Sequence, residues 1–295
     1  MIRIRTALLH LLCFVAGAAC LTGCGSTERQ EMGTPPTTAD AKERTLEALM
    51  SRIEKNQDSY RSFRARCEAV VKSPLMHRPE KLQLTGELEL LKPRKVRLVL
   101  RRAGHVAIRV VGDGKHYEVS MPIFHDSYSG AYGDPLRESG SRIHLMPDDL
   151  ADALDLRGLF WQKPQVLKAY PACWDLTAGS LSAPVIYPPV WSIDSLDIAG
   201  GRQTRLQAQN SVLVDRRTEQ IRRIDKFRGD GSLRVRIWHL NPGLVQGKDG
   251  QTVRVPGGLM IWYPSPLEGT IIRIRFTRRQ VNVPIDKETF VLGSR

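Results

Sequence analysis

The chain has 295 residues, with 44 Lys+Arg against 31 Asp+Glu and a formal charge of +13. Its 41% hydrophobic and 25% charged content is that of a globular protein, which excludes wholesale disorder. No apolar run reaches the roughly 18 residues of a spanning helix, so a multi-span membrane protein is excluded as well.

Residues 1–23 read as a bacterial secretory signal: Arg3 and Arg5 precede a short apolar stretch from Ala7 to about Ala19. Leu21-Thr22-Gly23-Cys24 then resembles the lipobox of bacterial lipoproteins. That resemblance implies that Cys24 is acylated and becomes the first mature residue. Gly25, rather than Asp, favours by analogy an outer-membrane location facing the periplasm. The removed segment carries two arginines and no acids, so the mature protein stays strongly basic. Of the five cysteines, Cys67 and Cys173 remain, and an oxidising compartment permits either a disulfide between them or two separate buried thiols.

Residues 24–40 are polar, with Pro35 and Pro36, and read as a flexible tether. Asp40 and Glu43 stand at capping-box spacing, and Leu46, Leu49, Met50, Ile53, Gln57 and Tyr60 follow at helical spacing. The pattern predicts an amphipathic helix over about 41–59.

Beyond it the period changes to two. Phe63–Val71, Leu82–Leu90, Val96–Arg101 and Val106–Val110 alternate apolar with polar residues, Gly112-Asp113-Gly114 marks a hairpin turn, and His116–Met121 returns. Pro147–Arg157 is a short helix candidate. Its Asp148, Asp149, Asp152 and Asp155 read as a solvated face and first turn. Tyr170–Ala178 is a further strand candidate, and 179–200 is Pro-rich and irregular. Strands resume at about Gln203–Asp215, Gln220–Phe227, Leu233–Leu240, Leu259–Tyr263 and Thr270–Arg278. One helix followed by a meander of strands predicts an antiparallel sheet curled around that helix, in a single domain over 41–293.

Several segments, spread over roughly 45–293, together resemble the LolA/LolB-like family of periplasmic lipoprotein carriers. They are Ser59–Ala65, Gly86–Arg97 with its Lys92-Pro93, Asp113–Tyr117 followed by Pro122, Val214-Asp215 with Thr218, Ile221 to Asp230-Gly231, and Asp286–Leu292. The resemblance implies a mainly antiparallel α+β fold: a half-open β-barrel of about eleven strands with a helical lid, holding acyl chains inside. The family's soluble carrier lacks a lipobox and its outer-membrane acceptor has one, so the anchor here points to an acceptor-like or stand-alone role. The carrier has an arginine before the motif proline, where it latches the lid. Lys92 stands there in this chain and cannot reproduce arginine's bidentate bonds.

An acyl-chain binder needs apolar area and exclusion of water. At about 0.8 kcal/mol per methylene, a sixteen-carbon palmitate chain offers up to about 12 kcal/mol in gross terms. The alternating faces supply the candidate lining: Leu84, Leu88, Leu90, Val96, Leu98, Leu100, Val235, Ile237, Ile272, Ile274 and Phe276. A filled core would show the same pattern. The opposite faces carry Arg97, Arg101, Arg109, Arg234, Arg236, Arg273 and Arg275, which keep a sheet soluble and attract anionic headgroups.

No catalytic constellation stands out. The seven histidines show no HExxH spacing, Ser127 and Ser129 lack a Gly-x-Ser-x-Gly frame, and the Arg228-Gly229-Asp230-Gly231 run is turn chemistry. The expectation is a non-enzyme without cofactor, metal or nucleic-acid partner. Lipid or lipoprotein acyl chains are its ligand and the membrane is reached through the anchor. The alternatives are a non-catalytic envelope scaffold on the same fold and, from a different class, an envelope hydrolase.

Overall fold

Apolar and polar side chains alternate along most of the chain, and the strands they define join in one antiparallel sheet. The computed structural model describes residues 46–73, 81–134, 143, 145–160, 166–172, 190–199, 205–215, 218–264 and 269–293. The signal peptide and tether expected over 1–40, Cys24 included, lie outside them.

Helix α1, Leu46–Asp58, comes first. It buries Leu49, Ile53 and Gln57, one residue per turn, as the sequence periodicity requires. The strands β1 Ser62–Lys72, β2 Leu82–Leu91, β3 Lys95–Arg102, β4 His105–Gly112, β5 His116–Met121 and β6 Asp126–Ala131 follow as a meander. Two short helices, α2 Pro147–Leu154 and α3 Arg157–Phe160, come next. Then come β7 Val166–Ala172, β8 Val190–Ala199, β9 Arg205–Asp215, β10 Ile221–Phe227 and β11 Leu233–Leu240. A separate hairpin of β12 Gly243–Gln246 and β13 Thr252–Val255 precedes β14 Gly258–Tyr263 and β15 Thr270–Val281.

Among the described residues thirteen strands form one sheet, in the order β6-β5-β4-β3-β2-β1-β15-β14-β11-β10-β9-β8-β7. All eleven strands read from the sequence take part. The two added members are β6 and β8, the latter inside the stretch read as irregular, and β7 begins at Val166, ahead of its expected start. The sheet is open rather than a closed barrel, with β6 at one end and β7 at the other.

Its curvature follows from the position of α2, which packs against β3 and β4 on one side and β11 on the other. Five strand spacings separate β3 from β11, about 24 Å on a flat sheet. An eight-residue helix is only about 12 Å long and 10 Å across, so the sheet must curl around it. One buried apolar cluster fills the concavity and takes in residues from α1, α2 and the inner face of the sheet. At Gly86 the backbones approach so closely that a Cβ would fall 1.8 Å from the Val99 carbonyl oxygen.

Candidate functional site

The eleven side chains expected to line a cavity lie together on the concave face. Register brings them side by side: Leu88 pairs with Leu98, Leu90 with Val96, and Ile237 with Ile261, which pairs in turn with Ile272. All eleven are buried, and nine, from Leu88 and Leu90 to Ile272 and Ile274, have 0% exposure. A void large enough for water would leave accessible area on its walls, so the face is packed against its cover in this conformation. Phe63 and Phe276 meet edge to face at 5.5 Å at one end of it.

The cover is α2. Pro147 opens it at the first helical position, where a missing N–H costs nothing, and Asp148 and Asp149 occupy the first turn, favoured by the helix dipole. All eight residues are buried. Asp148, Asp149, Asp152 and Asp155 are therefore not the solvated face the sequence pattern implied. Cations from β10, β11 and the β2–β3 turn hold them inward. Lys226 Nζ donates to Asp149 Oδ1 at 2.8 Å and Asp152 Oδ2 at 2.7 Å, Arg234 donates to Asp149 Oδ1, and Arg94 Nη2 lies 3.3 Å from Asp152 Oδ1. Tyr263 completes the set by donating its hydroxyl to Asp149 Oδ2 at 3.1 Å while accepting the Met146 N–H.

Arg234 was expected on the outer face with the other arginines. Lys226 pairs with Val235 and Phe227 with Leu233, so Arg234 is an extra residue in β11. Such a bulge breaks the alternation and re-aims the side chain, here toward α2.

Burial opposes charge throughout this cluster, and the partners decide the outcome. Burial would raise the Asp149 carboxyl, but Arg234 and Lys226 outweigh it and hold the group below the usual carboxylate range. At Asp148 burial, reinforced by Asp149, prevails over Lys226 and raises the carboxyl. Burial would lower Lys226, yet Asp149, Asp152 and Asp148 keep its ammonium above its ordinary range. Asp148 Oδ1 and Asp155 Oδ2 accept no hydrogen bond among the described residues.

Lys92 sits at the seam between the two helices. Its Nζ donates to the Gln57 carbonyl and to Gln57 Oε1 (3.0 Å) at the end of α1, and lies 3.5 Å from the centre of the Tyr60 ring. Asp155, at the end of α2, is 3.9 Å away. Tyr60 donates its hydroxyl to the Leu154 carbonyl. Desolvation pushes Lys92 down to about 7 despite the pull of Asp155. The position marked from sequence thus touches both helices.

His239, which sequence reasoning passed over, shares the inner parity of Val235 and Ile237. It is bonded to the Ala153 backbone of α2, and burial lowers it to about 4. The inner parity of Lys226 with the buried Ile224 was the available signal for the clasp. Cys67 is a buried free thiol whose Sγ contacts the Ala65 carbonyl at 3.7 Å, and burial pushes it up to about 12. Cys173 lies outside the described residues.

Fold and site define a class: a half-open antiparallel sheet whose apolar concave face is closed by short helices. The chain is similar to a solved DUF1329 family protein from Desulfovibrio piger, at 10% identity with a TM-score of 0.52, covering 83% of this chain and 95% of that one. It is also similar to an outer membrane lipoprotein-sorting protein domain from Vibrio parahaemolyticus, at 8% identity and TM-score 0.49, covering 82% and 94% of the two chains. A third similar structure is the LolA superfamily protein NE2245 from Nitrosomonas europaea, at 12% identity and TM-score 0.49, covering 82% and 97%. No family model matches the sequence, and no curated protein matches it. Among the described residues no helix is long and apolar enough to cross a membrane.

Proposed function

We propose that this protein is a non-catalytic envelope lipoprotein, anchored through Cys24 to the outer membrane and facing the periplasm, which takes lipid or lipoprotein acyl chains onto its concave face. The observation that carries this reading is the contrast between face and cover. The face is a continuous apolar surface. The cover is one short helix clasped by charges, and among the described residues Asp148 Oδ1, Asp152 Oδ1 and, at its end, Asp155 Oδ2 accept no hydrogen bond. A clasp of this kind exchanges its partners for water when α2 lifts, whereas the apolar face needs a substitute of its own kind. An acyl chain supplies one, at about 0.8 kcal/mol per methylene buried. Lys92 acts as the latch, because moving either helix breaks its contacts.

The reading is tested by native mass spectrometry of Gly25–Arg295 purified without detergent and then offered palmitate or a diacylated lipopeptide. A retained or acquired lipid mass supports it. A clean apo mass with no uptake rejects it and favours a second reading, an envelope scaffold on the same fold. One observation speaks for that alternative: nine of the eleven concave residues have 0% exposure, so the interior is filled.

A further inference from the structure

The opposite face of the sheet carries a groove of about 820 Å³ that the concave site does not use. It follows the sheet register across six strands. Arg101 on β3 pairs with Thr85 on β2, Thr85 with Glu68 on β1, Glu68 with Arg275 on β15, Arg275 with Gly258 on β14, and Gly258 with Leu240 on β11. Thr85 on β2 and Gly258 on β14 leave low ground on either side of β15. Long exposed side chains raise two walls, Arg101 and Arg102 on β3 and Arg273 and Arg275 on β15.

The charges in the groove do not balance. Arg275 Nη1 lies 3.4 Å from Glu68 Oε2, which neutralises one arginine. Arg101, Arg102 and Arg273 have no acidic partner among the described residues. Other arginines of the sheet do have an acid within reach: Arg64 and Arg97 share Glu89, and Arg223 and Arg236 share Asp225. The groove therefore holds a local surplus of three positive charges on a rigid surface. Among the described residues no aromatic side chain lines it, so these residues offer no platform for stacking nucleic-acid bases.

We propose that this groove docks the protein onto a leaflet of anionic phospholipid, with Arg101, Arg102 and Arg273 engaging headgroup phosphates. A single phosphate in so open a groove meets cations screened by water and salt. A leaflet presents many phosphates in one plane, so the contacts add, and each cation multiplies binding by roughly fivefold. The inference concerns the face opposite the acyl site and stands whether or not that site binds lipid.

The test is co-sedimentation of Gly25–Arg295, which lacks the acyl anchor and contains the whole compact unit from Glu43 to Arg295. The vesicles are phosphatidylcholine alone and an equal mixture with phosphatidylglycerol. The protein is expected to pellet with the mixed vesicles only. The triple variant Arg101→Gln/Arg102→Gln/Arg273→Gln is expected to lose more than about tenfold in partitioning. The matching control, Lys55→Gln/Lys115→Gln/Lys248→Gln, removes the same charge elsewhere and is expected to stay within about twofold. Replacing the same three arginines by lysine should restore binding, which separates lost charge from lost fold. Equal losses in the two glutamine triples would overturn the groove in favour of net charge. Inorganic phosphate that displaces the protein at constant ionic strength would overturn the leaflet as partner. Saturable binding of an oligonucleotide through the same arginines, without vesicle binding, would do so too.

Discussion

Lys226 and Asp149 lie 2.8 Å apart, one on the inner face of β10 and the other in the first turn of α2, 77 positions apart in the chain. The same ammonium reaches Asp152 at 2.7 Å. Together with Arg234 and Arg94 it sets three cations against Asp148, Asp149 and Asp152 in a buried space. Such a cluster fixes where the helix sits more than it adds to net stability, because desolvation consumes most of the Coulomb gain.

Removing one member of the clasp is correspondingly expensive. Lys226→Met leaves two buried carboxylates short of a counter-ion and is expected to cost about 3–5 kcal/mol in urea unfolding. Adding Asp149→Asn and Asp152→Asn should recover part of that loss, because the sites are coupled. Strictly additive losses would show that the three groups do not act together.

The buried Lys92 makes stability depend on pH in the direction opposite to a salt-bridged lysine. Its folded value, about 7, is below its ordinary 10.5, so the unfolded chain binds the extra proton between those values. Stability should rise as pH increases from about 7 toward 10.5. The rise should be absent from Lys92→Met. Denaturation midpoints across that range, measured on both proteins, decide the matter.

His239 works in the acid range. Its folded value of about 4 is below the ordinary 6.5, so lowering the pH through that window protonates the unfolded chain first and removes stability. At about 1.4 kcal/mol per pKa unit the loss is on the order of 3 kcal/mol. The same titration on His239→Gln should show a shallower acid slope. Because His239 is bonded to Ala153, hydrogen exchange in α2 should rise before exchange in β1 does.

Leu88 distinguishes a filled interior from a hollow one. With 0% exposure it should behave as a core residue, and Leu88→Ala is expected to cost about 3 kcal/mol. A loss well below about 1 kcal/mol would mean that its surroundings are already empty.

The strands β1 to β3 were legible because each has one wet and one dry face, so Phe63, Ala65, Cys67, Ala69 and Val71 announce the inner side by parity alone. In β8 the apolar residues change phase, from Trp191 and Ile193 to Leu196 and Ile198, and a register shift falls between Ser195 and Leu196. Period-two reading fails across such a change. The acidic helix was misread for another reason. A local pattern shows which residues share a helix face, but not that Lys226 and a bulged Arg234 will meet that face from far along the chain. Lys92 was legible only through the family resemblance, since nothing in its local spacing marks it. The eleven concave residues were legible as a face, and their packed state was not, because the same alternation serves a core and a cavity.

An open sheet keeps two strand edges, and here the edges are β6 and β7. Both are short, at six and seven residues. β6 carries Asp126, Ser127, Ser129 and Gly130, and β7 carries Lys168 and Pro171, which has no N–H to offer. Short, polar and proline-bearing edges make poor templates for another strand. Copies at high local concentration are thereby discouraged from joining edge to edge into fibrils.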